Sequence, residues 1–325
     1  MSTVSAPPPL TPTPALAAPG DLALSPGGLA TGEALPLRSR LKDFIVLGKP
    51  RIAIMSLLVV AAGYFLGLAD GYQAAPLWPT LGGIGLVAVA SSALNQVLER
   101  RTDALMRRTS RRPLPAGRLG LLEAASFGVC TGLAGLAWLL AVTNLQTTVW
   151  SAVTLVMYVF VYTPLKRQLP LATSIGAIPG AMPVVLGWLA AGRNLDSSAF
   201  TLFAIQFLWQ FPPFLAIAWI YREDYARAGL KMLPTRHEIP RVTGMLALAY
   251  AVALVPVSLL PTWFDLAGRL YLVGALGLSL WYVWSALQFA LAEDRDSARS
   301  LLRTSLVYLP VLLALLVWDH YQLLS

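Results

Sequence analysis

Apolar residues in this chain come in long unbroken runs, without the alternation of a half-buried strand or the narrow stripe of a surface helix. Windows of about 20 apolar residues, the length that spans a bilayer as helix, fit nine times: near 51–70, 76–97, 121–142, 146–163, 172–191, 198–221, 241–260, 267–291 and 302–321. Backbone groups in lipid must be satisfied within their own segment, and runs this long read as helices rather than barrel strands. The pattern therefore predicts an all-α, polytopic membrane protein with nine transmembrane helices.

Polar residues sort around these runs. Residues 1 to about 36 are rich in Pro, Ala, Gly and Leu, show no period and contain no Lys or Arg. A signal peptide needs a basic start and a mitochondrial presequence is Arg-rich, so the segment reads as a disordered cytoplasmic tail ahead of a transmembrane domain over 37–325. Arg38, Arg40, Lys42, Lys49 and Arg51 flank the first run, and Pro50 suits the entry to a helix. With the amino terminus inside, nine crossings place four loops on the inner side. Arg100, Arg101, Arg107, Arg108, Arg111, Arg112 and Arg118 fall in the first, Lys166 and Arg167 in the second. Arg222, Arg227, Lys231, Arg236 and Arg241 fall in the third, and Arg295, Arg299 and Arg303 in the fourth. Only Arg193 and Arg269 remain outside, the asymmetry of an inside amino terminus.

Composition agrees: of 325 residues, 57% are hydrophobic and only 12% charged. The net charge of +8 does not indicate nucleic acid, because the basic residues sit in short loops between apolar runs. Cys130 is the single cysteine, which excludes disulfides, zinc clusters and thioether haem attachment, and it is expected to be a small packing residue.

The chemistry lies in Asn95 to Pro113, NQVLERRTDALMRRTSRRP, which joins acids and a dense arginine run to the end of an apolar helix. Asn95, Glu99 and Asp103 recur every fourth residue and so share one helix face. Two carboxylates and an amide suit a magnesium ion that keeps some waters and completes its shell with substrate phosphate oxygens. Arg107, Arg108, Arg111 and Arg112 follow, and arginines bind phosphate through paired hydrogen bonds. A helix end with solvated charges and a topology-setting basic loop would give the same pattern. The third inner loop, YREDYARAGLKMLP from Tyr221 to Pro234, repeats the mixture: Asp224 could hold a second magnesium and Arg222, Arg227 or Lys231 a phosphate. A solvated loop with a helix stop at Gly229 is the alternative. Tyr162 to Arg167, YTPLKR, adds a hydroxyl and two cations at a helix end.

These residues carry a resemblance. Asn95, Glu99 and Asp103 resemble the first Asp-rich motif of the UbiA superfamily of intramembrane prenyltransferases, continued by Met106, Arg108, Thr109, Arg112 and Pro113 as in its haem O synthase branch. Tyr162 and Lys166 match the YxxxK pattern, Gly176 to Trp188 the intervening helix, and Phe207 to Pro234 the branch's second signature. The resemblance covers roughly residues 40–320. Pro213 stands where the branch usually has histidine, Glu99 where many relatives have aspartate, and Ala228 where other members carry a further acid.

The resemblance implies a bundle around a central cavity, with both motifs at its cytoplasmic mouth in a bacterial inner membrane. It implies catalytic and magnesium-binding roles for Asn95, Glu99, Asp103 and Asp224, and substrate-binding roles for Arg108, Arg112, Tyr162, Lys166, Arg222, Tyr225 and Lys231. The substrates implied are farnesyl diphosphate and haem B, with haem A synthase or oxidase assembly proteins as partners beside the bilayer and no nucleic acid. Trp188, Phe207, Trp209 and Phe214 are candidates to shield an allylic cation, though aromatic stripes also serve plain packing. Two other readings fit parts of the chain: prenylation of an aromatic or quinone precursor, and transport. A transporter places ionisable residues near the bilayer midplane, whereas Glu99, Asp103, Lys166, Asp224 and Lys231 cluster at one face. His237 and His320 are the only histidines, and neither is expected to be an obligatory haem ligand.

Overall fold

The computed structural model describes residues 37–68, 73–166, 172–229 and 241–324. The expected tail, Arg167, Lys231 and His237 lie outside the described residues. Every regular element among them is helical. Eight helical segments are long and apolar enough to cross a membrane, and a ninth apolar helix, Ser174–Ala190, is shorter. The predicted span 172–191 is present as a helix of 19 residues, Ala172–Ala190.

The chain opens with α1 (Leu37–Leu47), outside any predicted span, followed by α2 (Pro50–Gly67) and α3 (Leu77–Leu105). Lys49 caps α2 with left-handed backbone and Pro50 occupies its first turn, where a missing N–H costs nothing. α4 (Leu121–Val142) packs along α3. The next crossing is composite: α5 (Leu145–Val156), a π-helix (Met157–Tyr162) and the single turn α6 (Thr163–Leu165). Pro164 has no N–H to donate, and the wider π spacing lets the Thr163 hydroxyl bond the Tyr158 carbonyl at 2.8 Å.

α7 (Ala172–Ala190) packs on α2. A Cβ on Gly63 would run into the Val184 carbonyl, and one on Gly187 into the Val60 carbonyl; only glycine lets the backbones approach this closely. The predicted span 198–221 is broken, with α8 (Ser197–Trp209) and α9 (Phe211–Ile220) meeting at Gln210 ahead of Pro212 and Pro213. After α10 (Arg222–Arg227) Gly229 turns left-handed with φ +67°, the stop expected there.

α11 (Val242–Trp263), α12 (Arg269–Ala292) and α13 (Arg295–Leu324) complete the bundle. They are joined by buried hydroxyls: Tyr308 bonds Ser258 at 2.8 Å and Ser279 at 3.1 Å, and Tyr271 donates to the Ser258 carbonyl at 2.8 Å. Such bonds hold helices together where lipid offers no hydrophobic drive. At the end of the bundle away from the arginine-rich stretch, buried His320 faces the Leu266 carbonyl at 2.9 Å and Asp319 caps the start of α12 through the N–H groups of Gly268 and Tyr271. Cys130 is exposed on the outside of α4, where the bundle meets lipid, and does not pack as expected.

Candidate active site

The basic end of α3 continues past the apolar run, and its Asn95, Glu99 and Asp103 lie along one buried face, 3%, 8% and 1% exposed. Each faces a cation brought from elsewhere in the chain. Asn95 donates to Thr163 Oγ1 at 3.0 Å and accepts from Lys49 Nζ at 3.5 Å. Lys166 Nζ pairs with Glu99 at 3.1 Å, and Arg112 pairs with Asp103 at 2.6 Å. The turn after α3 holds Arg112 in place: Thr109 bonds the Asp103 carbonyl at 2.9 Å, and the Arg112 N–H bonds the Thr109 carbonyl at 2.9 Å.

The electrostatics follow from this packing. Burial opposes the charge of Lys166, but neighbouring Glu99 more than offsets it, so the ammonium is held above the ordinary lysine range. Lys49 has no carboxylate partner among the described residues. Burial, reinforced by Arg112, pushes its ammonium down to about 8. The sequence reading missed Lys49 as a site residue, because it looked like one more charge flanking a membrane span.

The second motif contributes unequally. Tyr225 is buried against Met106 and Ala218, and its hydroxyl meets Arg108 at 3.5 Å while the Arg108 guanidinium covers the Tyr221 ring. Asp224 is ion-paired with Arg227 three residues on. Arg222 turns back over the Trp219 ring at 4.1 Å and donates to the Trp219 carbonyl. Among the described residues no three or more Asp, Glu, His or Cys side chains converge as a metal site.

The Tyr162 ring is tilted against Tyr158 with centroids 5.6 Å apart, and it lies against Gly176. Just beyond this cluster a cavity of about 310 Å3 enters the bundle between α2, α3, α5, α7 and α8. Its lining begins with Ile52 after Lys49, Ser92 one turn before Asn95, and Tyr158 of the π-helix. Of the four aromatics considered as shields, only Trp209 lines it. Trp188 sits near the opposite end, bonded to the Asn194 carbonyl and covered by Arg193.

The arrangement is a row of buried oxygens, each with a cation beside it, next to an apolar cavity. An anionic headgroup can take the cations while its hydrocarbon enters the cavity. The residues also fit a magnesium ion: two carboxylates and an amide oxygen on one face, each balanced by a side chain able to swing to an anion.

The chain matches the UbiA prenyltransferase family over residues 56–316. It is 45% identical over 289 residues to the protoheme IX farnesyltransferase of Solibacter usitatus, covering 86% of this chain and 99% of that one. With the protoheme IX farnesyltransferase of Koribacter versatilis it shares 39% over 292 residues, covering 87% and 94%. In fold it is similar to a digeranylgeranylglyceryl phosphate synthase, with a TM-score of 0.71 at 16% identity over 87% of this chain and 99% of that one. A UbiA homolog from Archaeoglobus fulgidus bound to GPP and Mg2+ gives 0.64 at 18%, with the same coverage. On the family match and these relatives, the chain belongs to the UbiA prenyltransferase family.

Proposed function

We propose that this membrane enzyme joins the farnesyl group of farnesyl diphosphate to a vinyl group of haem B, with addition of water, to give haem O. The observation that carries the site assignment is the buried row Asn95, Glu99, Asp103, each member facing a cation at the mouth of the cavity. The acceptor is read from the protoheme IX farnesyltransferases that the chain resembles over nearly its whole described length.

Lys49, Lys166 and Arg112 turn from their oxygens to the diphosphate and stabilise the charge it gains as its bond to carbon lengthens. Magnesium, held by Asn95, Glu99 and Asp103, supplies further positive charge to the leaving group when bound. Arg108, fixed by Tyr221 and Tyr225, supports the headgroup from the second motif, and Tyr162 lines its approach. Asp224 and Arg222 serve the diphosphate from the second motif, with the Asp224 carboxylate exchanging Arg227 for the substrate's metal, and Lys231 is a further phosphate-binding candidate in the same motif. The apolar cavity shields the farnesyl cation from stray water until the haem vinyl group attacks. Buried His320 is engaged at the far end of the bundle and takes no part in holding haem. The site opens to the cytoplasm of a bacterial cell at its inner membrane, next to the oxidase assembly proteins or haem A synthase that consume the product.

Offering haem B together with an aromatic acid and farnesyl diphosphate tests the acceptor. Farnesyl should appear on haem alone; transfer to the aromatic acid with haem unchanged would establish quinone-type prenylation instead.

Lys49 gives a pH signature. Its ammonium is present below about 8 and lost as pH rises through that value, so kcat/KM for the diphosphate, which reports the free enzyme, should fall above it. Lys49→Arg keeps its charge throughout and should remove that fall; an unchanged profile in this variant would discharge Lys49 from the role.

Topology has its own check. In a Cys130→Ser background, a cysteine at Ser110, in the turn after α3, should react with membrane-impermeant reagent only from the cytoplasmic side. Labelling from outside intact cells would reverse the orientation.

A further inference from the structure

α1 reverses the pattern of a helix in water. Leu41 and Ile45 stand four residues apart on one face with Val46 beside them, and all three are exposed, at 63%, 51% and 47%. Its charges turn toward the bundle instead: buried Asp43 accepts from Arg118 at 3.0 Å, and Arg40 pairs with Glu123. A helix on the surface of a water-soluble protein does the opposite. With 11 residues, α1 is about 16 Å long, too short to cross a bilayer. Its partners lie at one level of the bundle. The Gln96 amide of α3 donates to the Leu47 carbonyl at 2.7 Å, and the Phe44 ring meets Phe127 of α4 at 5.1 Å between centroids. Gly128 of α4 faces Leu94 of α3, so Gln96 is level with the first two turns of α4. α1 therefore lies across the ends of these two helices, where a membrane span meets the headgroups.

We propose that α1 is an interfacial anchor whose Leu41, Ile45 and Val46 lie in the headgroup layer of the bilayer, with Lys42 and Arg51 drawing acidic phospholipids to it. The apolar face continues into the lipid-facing side of α2, where Ile54 and Leu58 are exposed. Lys42 and Arg51 are exposed too and enter no ion pair among the described residues. Aliphatic side chains sinking between headgroups, with cations beside them at the surface, are what an acidic bilayer retains. A second copy of the chain is a poorer occupant. One face of an 11-residue helix with three aliphatic side chains falls short of the roughly 800 Å2 per partner of a standard interface, and Lys42 would lie among the groups that the copy has to cover. The anchor is tied to the site through its last turn. Leu47 is held by Gln96, and Lys49 two residues on faces Asn95.

The test places one fluorophore on Ile45→Cys in a Cys130→Ser background, with the full chain in vesicles of phosphatidylcholine and phosphatidylglycerol. Lipids carrying a nitroxide at the top of the acyl chain should quench it. Nitroxide-labelled phosphatidylglycerol should do so at least about twofold more strongly than phosphatidylcholine at equal mole fraction. Iodide should quench the same fluorophore on Ser110→Cys, in the turn after α3, and leave the Ile45 position bright. Lys42→Glu with Arg51→Glu should abolish the preference for phosphatidylglycerol while quenching by phosphatidylcholine persists. Quenching of the Ile45 position by iodide would put α1 in water and overturn the anchor. Protection from both lipid and iodide would show the face covered by protein, a second copy included, and would overturn it as well. Equal quenching by the two lipids would remove the acidic partner. The signal does not depend on turnover, so it stands or falls separately from the reaction assigned to the enzyme.

Discussion

Asp103→Asn should lower haem prenylation at least about a hundredfold, ~2.7 kcal/mol of transition-state stabilisation, the scale seen when one preorganised electrostatic group is removed. The substitution is nearly isosteric, and an asparagine oxygen can still accept from Arg112, which now bonds the carboxylate at 2.6 Å. The Thr109 bond to the residue 103 carbonyl uses backbone and survives. The fold should therefore persist while the charge that balances Arg112 and helps hold magnesium is gone. Glu99→Gln should be as damaging, because it also leaves the ammonium of Lys166 buried without its carboxylate. Exposed Arg107 serves as control, and Arg107→Gln should keep most of the rate. Initial rates at matched membrane protein levels and rising magnesium decide the matter; a rate above one-tenth of wild type for Asp103→Asn would remove Asp103 from the chemistry.

The largest effect on stability should come from Gly187→Leu. A Cβ at this position meets the Val60 carbonyl and the Tyr64 N–H rather than the end of a flexible side chain, so α2 and α7 must move apart. Overpacking typically costs 1–3 kcal/mol where side chains can adjust; with backbone on the opposing side we expect about 3 kcal/mol or more. Separation would also open the cavity wall that Val59 and Leu186 share. Gly277→Leu is the control, since nothing lies near that Cβ, and its effect should stay within about 0.5 kcal/mol. Thermal aggregation of the two variants in detergent separates them. If Gly187→Leu withstood heating as well as Gly277→Leu, the close approach of α2 and α7 would not be a structural requirement.

The helical class and the common face of Asn95, Glu99 and Asp103 were legible because both depend on local period, which the chain carries without reference to its fold. The boundaries of two predicted spans held to within two residues, at Leu145–Leu165 and Ser197–Ile220, but breaks inside them were not legible: Gln210 before two prolines splits one helix, and a π-helix precedes Pro164 in the other. Lys49 was illegible for a different reason. Its partner Asn95 is 46 residues away, and a lysine before a membrane helix has an ordinary topological explanation. Asp224 came from motif analogy, and its ion pair with Arg227 three residues on was open to local spacing alone.

The central claim is tested most directly by the mass of the haem formed by the wild-type protein from haem B, farnesyl diphosphate and magnesium in oxygen-18 water. The product should carry one farnesyl group and one hydroxyl bearing the heavy isotope, and omission of magnesium should suppress it. Haem B recovered unchanged, or a farnesylated haem without the labelled oxygen, would contradict the account.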